Sequence, residues 1–268
     1  MKLISKFIKQ QAQKSGFALC GIAKAEILAL EKERFEKALD QNYHAGKKYL
    51  ERDIEKRFHP ELLLQNCKSV VVCGFNYNMQ NAESRMQKGK GRREKAESRM
   101  QNAESTLSSI RISRYEQIKD YHIFMKEKLN RLVQSLKEEY GDFNYKITVD
   151  TSTISEKAWA VKSGIGYYGK NGIIQTKFGS FVFLGTILMD REVDEYDVPT
   201  QQSCENCVAC ITACPTQAIV SPYQVDSNLC ITYINQNNKE PNIKFIEQYG
   251  WVRSCDTCQD VCPNNLSS

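Results

Sequence analysis

Leu3, Ile4, Phe7 and Ile8 recur at helical spacing, predicting a helix over residues 2–15 that Lys14-Ser15-Gly16 stops. Phe17 to Ile22 is an apolar run of strand length, residues 26–40 carry a helical pattern, and Tyr49 to Phe58 adds an amphipathic turn or two. The β-branched run Ser69 to Tyr77 (SVVVCGFNY) predicts a core strand. A long helix is expected over Tyr115 to Tyr140, with Phe124, Leu129, Leu132, Val133 and Leu136 facing inward. Tyr145 to Val149 predicts a strand that delivers Asp150 at its C-terminal end. Ser155 to Ser163 predicts a helix broken by Gly164 and Gly166. Gly172 to Thr176 and Ser180 to Met189 predict a hairpin about Lys177-Phe178-Gly179.

Helices and strands interleave, which places the first 198 residues in the α/β or α+β class as one mixed-sheet domain. A smaller ferredoxin-like domain is expected over residues 199–268. The chain has 41% hydrophobic residues with 13 Tyr and 11 Phe, enough for a sizeable core. Its longest apolar run, Phe181 to Met189, is strand-sized and well short of the roughly 18 residues that suggest a membrane span. The opening MKLISKFIKQQAQKSG lacks the apolar core of a secretory signal, so a cytoplasmic protein is expected, with no membrane contact.

Charge changes this picture little. The net charge is +5, but residues 81–101 alone hold seven basic and three acidic side chains, so the rest is nearly neutral and does not by itself argue for RNA. That segment repeats itself: QNAES stands at 80–84 and 101–105, AESRMQ at 82–87 and 96–101. Residues 80–105 are therefore expected to form a duplicated, flexible surface insertion, with a functional basic arm as the alternative.

Eight of the eleven cysteines lie between 204 and 262. Cys204, Cys207, Cys210 and Cys214 follow C-x2-C-x2-C-x3-C and precede Pro215. Cys255, Cys258 and Cys262 precede Pro263, and Cys230 stands between the runs. This spacing belongs to paired [4Fe–4S] clusters, in which the fourth cysteine of one run serves the other cluster. The crossed assignment gives one cluster to Cys204, Cys207, Cys210 and Cys262, and the other to Cys214, Cys230, Cys255 and Cys258. Disulfides would need an oxidising compartment, and zinc modules rarely carry a three-cysteine run ending in C-P. Cys20, Cys67 and Cys73 lie elsewhere, and Cys20 and Cys73 in apolar strands read as small hydrophobes. His44, His59 and His122 show no metal spacing; His122 is expected to pack on its helix.

An ordered series of segments resembles the epoxyqueuosine reductase family: ISRYEQIKDYH at 112–122, VDTSTISEKAWAVKSGIGYYGKN at 149–171, GSFVFLGTIL at 179–188, CENCVACITACPTQAI at 204–219, LCITYINQNNK at 229–239 and SCDTCQDVCPNN at 254–265. The resemblance covers most of the chain outside 79–105. It implies reduction of epoxyqueuosine to queuosine at the tRNA wobble position, by cobalamin fed with electrons from two [4Fe–4S] clusters. It further implies an external low-potential electron donor, and a monomer is expected. Asp150 matches the family's proton donor, a role that burial beside the corrin would serve by raising its pKa. On its residues alone Asp150 would equally suit an N-cap of the following helix. The resemblance places Arg57, Ser113 and Asp150 at cobalamin. It places Lys157, Lys170, Thr232 and Tyr233 toward the tRNA, and Glu156 as support for the helix or a nearby hydrogen bond.

The family commonly has a proline where Thr153 stands, and continues past Pro263 with a tryptophan and tens of residues where this chain has Asn264 to Ser268. Competing expectations are a reductive dehalogenase, which shares the corrinoid and paired clusters, an electron carrier that only holds clusters, and a tRNA-binding scaffold without turnover.

Overall fold

The computed structural model describes residues 2–78, 111–118, 120–150, 153–237 and 243–266, so the expected insertion at 80–105 lies outside the described residues. Four strands make the central sheet: β1 (Leu19–Lys24), β2 (Ser69–Asn76), β3 (Tyr145–Thr148) and the later Val182–Met189. Two three-residue strands, β4 (Gly166–Tyr168) and β5 (Ile174–Thr176), precede that last strand, which is β6. The sheet order is β1-β2-β6-β3, with every pairing antiparallel. The fold is α+β.

Alternation along β2 explains the layers. Val71, Cys73 and Phe75 join a cluster with Leu129, Leu132, Val133 and Leu136 of the Tyr121–Tyr140 helix and with Ile8 and Ala12 of the Ser5–Lys14 helix. Val70 and Val72 point the other way, to Phe58, Ala158 and Trp159. All eight residues of β2 are buried because helices cover both faces. Gly21 in β1 is required where the Glu156–Lys162 helix ends, since a Cβ there would stand 2.2 Å from the Ser163 carbonyl oxygen.

The predicted long helix is shorter at its start. Tyr115–Gln117 forms a separate 3-10 turn, and the α-helix begins at Tyr121, where the Asp120 carboxylate accepts the His122 N–H at 3.1 Å. The predicted hairpin between 172–176 and 180–189 does not form. β5 pairs with β4 in its own ribbon, while β6 joins the main sheet. The Thr176 hydroxyl donates to the Gly179 carbonyl at 2.8 Å and closes a tight turn that sends the chain from one sheet to the other. Cys73 is fully buried opposite Cys20, and burial raises the Cys67 thiol to about 11, in keeping with structural thiols.

Candidate active site

Asp150 leaves β3 just after Val149, which is fixed in the core, and adopts a left-handed conformation (φ +52°). That turn aims its carboxylate away from the sheet, where the side chain is 65% exposed. Three groups converge on it. His122 Nε2 lies 3.3 Å from Asp150 Oδ2, while its Nδ1 sits 2.7 Å from Asp120. Tyr121 hydrogen-bonds to Asp150 and stacks flat on Phe183 at 4.0 Å; burial first, then the Asp150 charge, pushes its hydroxyl well above the ordinary tyrosine range. Glu156 Oε1 accepts the Asp150 N–H at 2.9 Å.

His122 therefore does more than pack on its helix: it joins two carboxylates. The capping role for Asp150 is not realised. Ser155 occupies the N-cap of the Glu156–Lys162 helix with no side-chain cap bond, and Glu156 reaches back to Asp150 instead. Desolvation raises the Glu156 carboxyl to about 8, with the neighbouring Asp150 charge adding to it.

The mouth around Asp150 is built from both parts of the chain. Tyr49 senses the charges of Asp150, Arg57 and Tyr233, and Lys157 senses that of Asp150. Lys47 senses Lys157 and Cys230, and its ammonium lies 4.0 Å from the centre of the Tyr233 ring. The buried Arg57 donates to the Tyr49 carbonyl at 2.6 Å and braces the segment after Asp150 through the Thr153 carbonyl at 3.5 Å. Its Nε and the Ser113 hydroxyl are buried without a hydrogen-bond partner among the described residues.

Thr232 and Tyr233 are engaged within the protein. The Thr232 hydroxyl accepts the Cys255 N–H at 3.0 Å, and the Tyr233 hydroxyl donates to the Ala45 carbonyl at 2.6 Å. Lys157 is exposed beside Asp150, donating to Gly172 at 2.9 Å. Lys170 differs from the expectation of a tRNA contact. It is 8% exposed and donates to the Glu205 carbonyl at 2.6 Å, inside the protein.

The structure brings Cys204, Cys207, Cys210 and Cys262 around one small cleft, which Gly169, Lys170, Asn171 and Gln175 complete. Cys230, Cys255 and Cys258 form a second group: burial, then the mutual charge of these thiols, raises Cys258. Cys210 also acts on Cys258, so the two groups are neighbours. Cys214 sits at the end of the Ala209–Ala213 helix, its sulfur accepting the Ala218 N–H at 3.3 Å.

A tetrahedral zinc with bonds of about 2.3 Å would draw its sulfurs to about 3.8 Å apart. Among the described residues no three His, Cys, Asp or Glu side chains gather tightly enough to hold a single ion. Thiols spaced around a cleft suit a multi-iron cube better. The β4–β5 ribbon supplies polar neighbours to both groups: Gln175 Oε1 lies 3.6 Å from Cys262 Sγ, and Asn171 Nδ2 donates to the Cys258 carbonyl at 3.4 Å.

Residues 57–151 match the family described as Epoxyqueuosine reductase QueG, DUF1730, and residues 203–265 match a 4Fe-4S double cluster binding domain. An epoxyqueuosine reductase of Cellulophaga algicola is 38% identical over 98% of this chain and 80% of its own length; one of Leadbetterella byssophila is 37% identical over 99% and 81%. The chain belongs to the epoxyqueuosine reductase family. Among solved structures, an epoxyqueuosine reductase crystallised with an epoxyqueuosine-modified tRNA stem loop superimposes with a TM-score of 0.79 at 31% identity. The Bacillus subtilis reductase, with an aspartate-bearing catalytic loop swung out of the active site, gives 0.78 at 30%. Each comparison covers 97% of this chain, which spans 65% and 64% of those two crystallised chains. A reductive dehalogenase at 14% identity and TM-score 0.56 shares the fold alone.

For several site residues the hydrophobic pattern carried no sign of a functional role. Lys47, Tyr49, Asn171 and Gln175 lie in turns and short elements, and only the segments resembling the reductase family, DYH and GYYGKN, pointed near Tyr121 and Asn171.

Proposed function

We propose that this chain reduces the epoxide of epoxyqueuosine in tRNA to the alkene of queuosine. The convergence of Asp150, His122 and Tyr121, in a chain that also gathers two groups of cysteine thiols, carries the reading. Replacing an epoxide by an alkene takes two electrons and two protons and releases water. The ligand sets are Cys204, Cys207, Cys210 and Cys262 for one [4Fe–4S] cluster and Cys214, Cys230, Cys255 and Cys258 for the other. Each cluster passes single electrons, supplied by an external low-potential donor to a monomeric enzyme. Residues 199–268 carry the clusters, and residues 1–198 hold corrin and substrate.

A corrin is a flat ring fringed with amides, and the partnerless Ser113 hydroxyl and Arg57 Nε suit such a fringe. When bound, cobalamin supplies the low-valent metal that engages the substrate carbon. Asp150 protonates the departing epoxide oxygen, because an alkoxide is a poor leaving group and general acids ease such cleavage. His122 and Tyr121 orient that carboxyl, and Glu156 fixes its backbone. Lys157 stands beside Asp150, and Lys47 beside Lys157, as phosphate partners for tRNA. The test is nucleoside mass spectrometry of epoxyqueuosine-containing tRNA, incubated with reconstituted, chemically reduced protein. Queuosine should appear; persistence of epoxyqueuosine with a fully loaded protein would overturn the proposal.

A further inference from the structure

Lys170 occupies the turn between β4 and β5, held by Gly169 N–H to the Ile173 carbonyl and Tyr223 N–H to its own carbonyl, at 2.8 and 2.9 Å. The turn points its side chain inward. Glu205, whose carbonyl takes the ammonium, stands between Cys204 and Cys207 in a left-handed conformation (φ +41°). Lys170 thus lines the same cleft as Cys204, Cys207, Cys210 and Cys262, with its ammonium on the backbone between two of them.

Among the described residues no carboxylate pairs with Lys170, and the Glu205 carbonyl is its side chain's only hydrogen-bond partner. A nearly buried cation without a countercharge is unfavourable unless something anionic shares its surroundings. Four thiolates around a [4Fe–4S] cube supply that charge, with a net −2 when oxidised and −3 when reduced. An adjacent ammonium stabilises the more negative form more, and net charge is one of the factors that set cluster potentials.

We infer that Lys170 is a tuning residue for the cluster held by Cys204, Cys207, Cys210 and Cys262, raising its reduction potential so that it accepts electrons readily. Its contact with the Cys204–Cys207 turn replaces the tRNA role expected from sequence. The inference rests on the ligand assignment above and not on epoxide reduction.

The experiment is an anaerobic redox titration of reconstituted protein followed by electron paramagnetic resonance, with iron counted in every sample. The signal of this cluster is the one absent from Cys262→Ala. In Lys170→Gln its equilibrium should shift about tenfold toward the oxidised form, about 59 mV for one electron, while the other cluster stays in place. Lys170→Arg, which keeps the charge, should hold the parent potential. Unchanged potentials in a fully loaded Lys170→Gln protein would overturn the inference. So would loss of iron in both Lys170→Gln and Lys170→Met with retention in Lys170→Arg, which would make the lysine structural. A parent protein lacking two distinct clusters would instead defeat the ligand assignment.

Discussion

Glu156 Oε1 accepts the Asp150 N–H at 2.9 Å, so a carboxyl from the following helix holds the left-handed residue that ends β3. A non-glycine residue at positive φ is strained and persists where its surroundings over-determine it. Here the surroundings are this hydrogen bond, the fixed Val149 and the Tyr121 contact. The latch is also an acid with an altered affinity for protons, since desolvation raises Glu156 from 4.5 to about 8.

That shift has a definite sign. The folded protein binds the Glu156 proton more tightly than the unfolded chain, so this contribution is fully present below the unfolded value of 4.5 and is lost as pH rises through about 8. Thermal unfolding between about pH 6 and pH 9 should show a falling midpoint in the parent, and a smaller fall in Glu156→Gln. Equal slopes in the two proteins would show that Glu156 does not hold its proton in the fold.

Asp150→Asn keeps the shape of the side chain but cannot deliver a carboxylic proton. Its backbone bond to Glu156 is untouched, so both clusters and the fold should persist. Turnover should fall on the order of a hundredfold or more, the scale of general-acid effects. Iron content, melting temperature and queuosine formation measured on one preparation check this. Queuosine formed at the parent rate would move the proton source elsewhere, with His122, 3.3 Å from Asp150, a candidate.

Cys214 follows Cys210 by four residues yet is assigned to the opposite cluster. Cys214→Ala and Cys230→Ala should therefore lose the same cluster, each retaining about four of about eight iron atoms, whereas Cys262→Ala should lose the other. Iron analysis with paramagnetic resonance distinguishes the cases. Identical residual spectra from Cys214→Ala and Cys262→Ala would contradict the crossed arrangement.

The core was legible because its signals are local and periodic. SVVVCGFNY could only be a buried strand, and Leu129, Leu132, Val133 and Leu136 repeat at the spacing of one helix face. The cysteine spacing carried its chemistry in the same way. Strand pairing was less legible: β5 and β6 look like a hairpin because a short turn separates them, but Thr176 bends the chain between sheets. The fate of Lys170 was hidden for a different reason. Its direction depends on Glu205, 35 residues away, and a lysine in a glycine-rich turn reads as a surface charge until that contact is seen.

Ser113 provides a test in which stability and binding move in opposite directions. Its hydroxyl is wholly buried with no hydrogen-bond partner among the described residues, and an unsatisfied buried polar group of this kind costs about 1–3 kcal/mol. Ser113→Ala removes the group and leaves a residue of nearly the same volume. Without corrinoid, the variant should unfold at a higher temperature than the parent, by a few degrees for roughly 1 kcal/mol in a chain of this size. With corrinoid the order should reverse, because the parent gains a hydrogen bond that the variant cannot make, and bound ligand stabilises in proportion to affinity. The measurement is a thermal melt of each protein with clusters loaded, with and without added cobalamin, alongside the retained corrin absorbance after gel filtration. Equal corrin retention, or a variant less stable than the parent before cobalamin is added, would assign the Ser113 hydroxyl a partner within the protein and remove it from the corrin site.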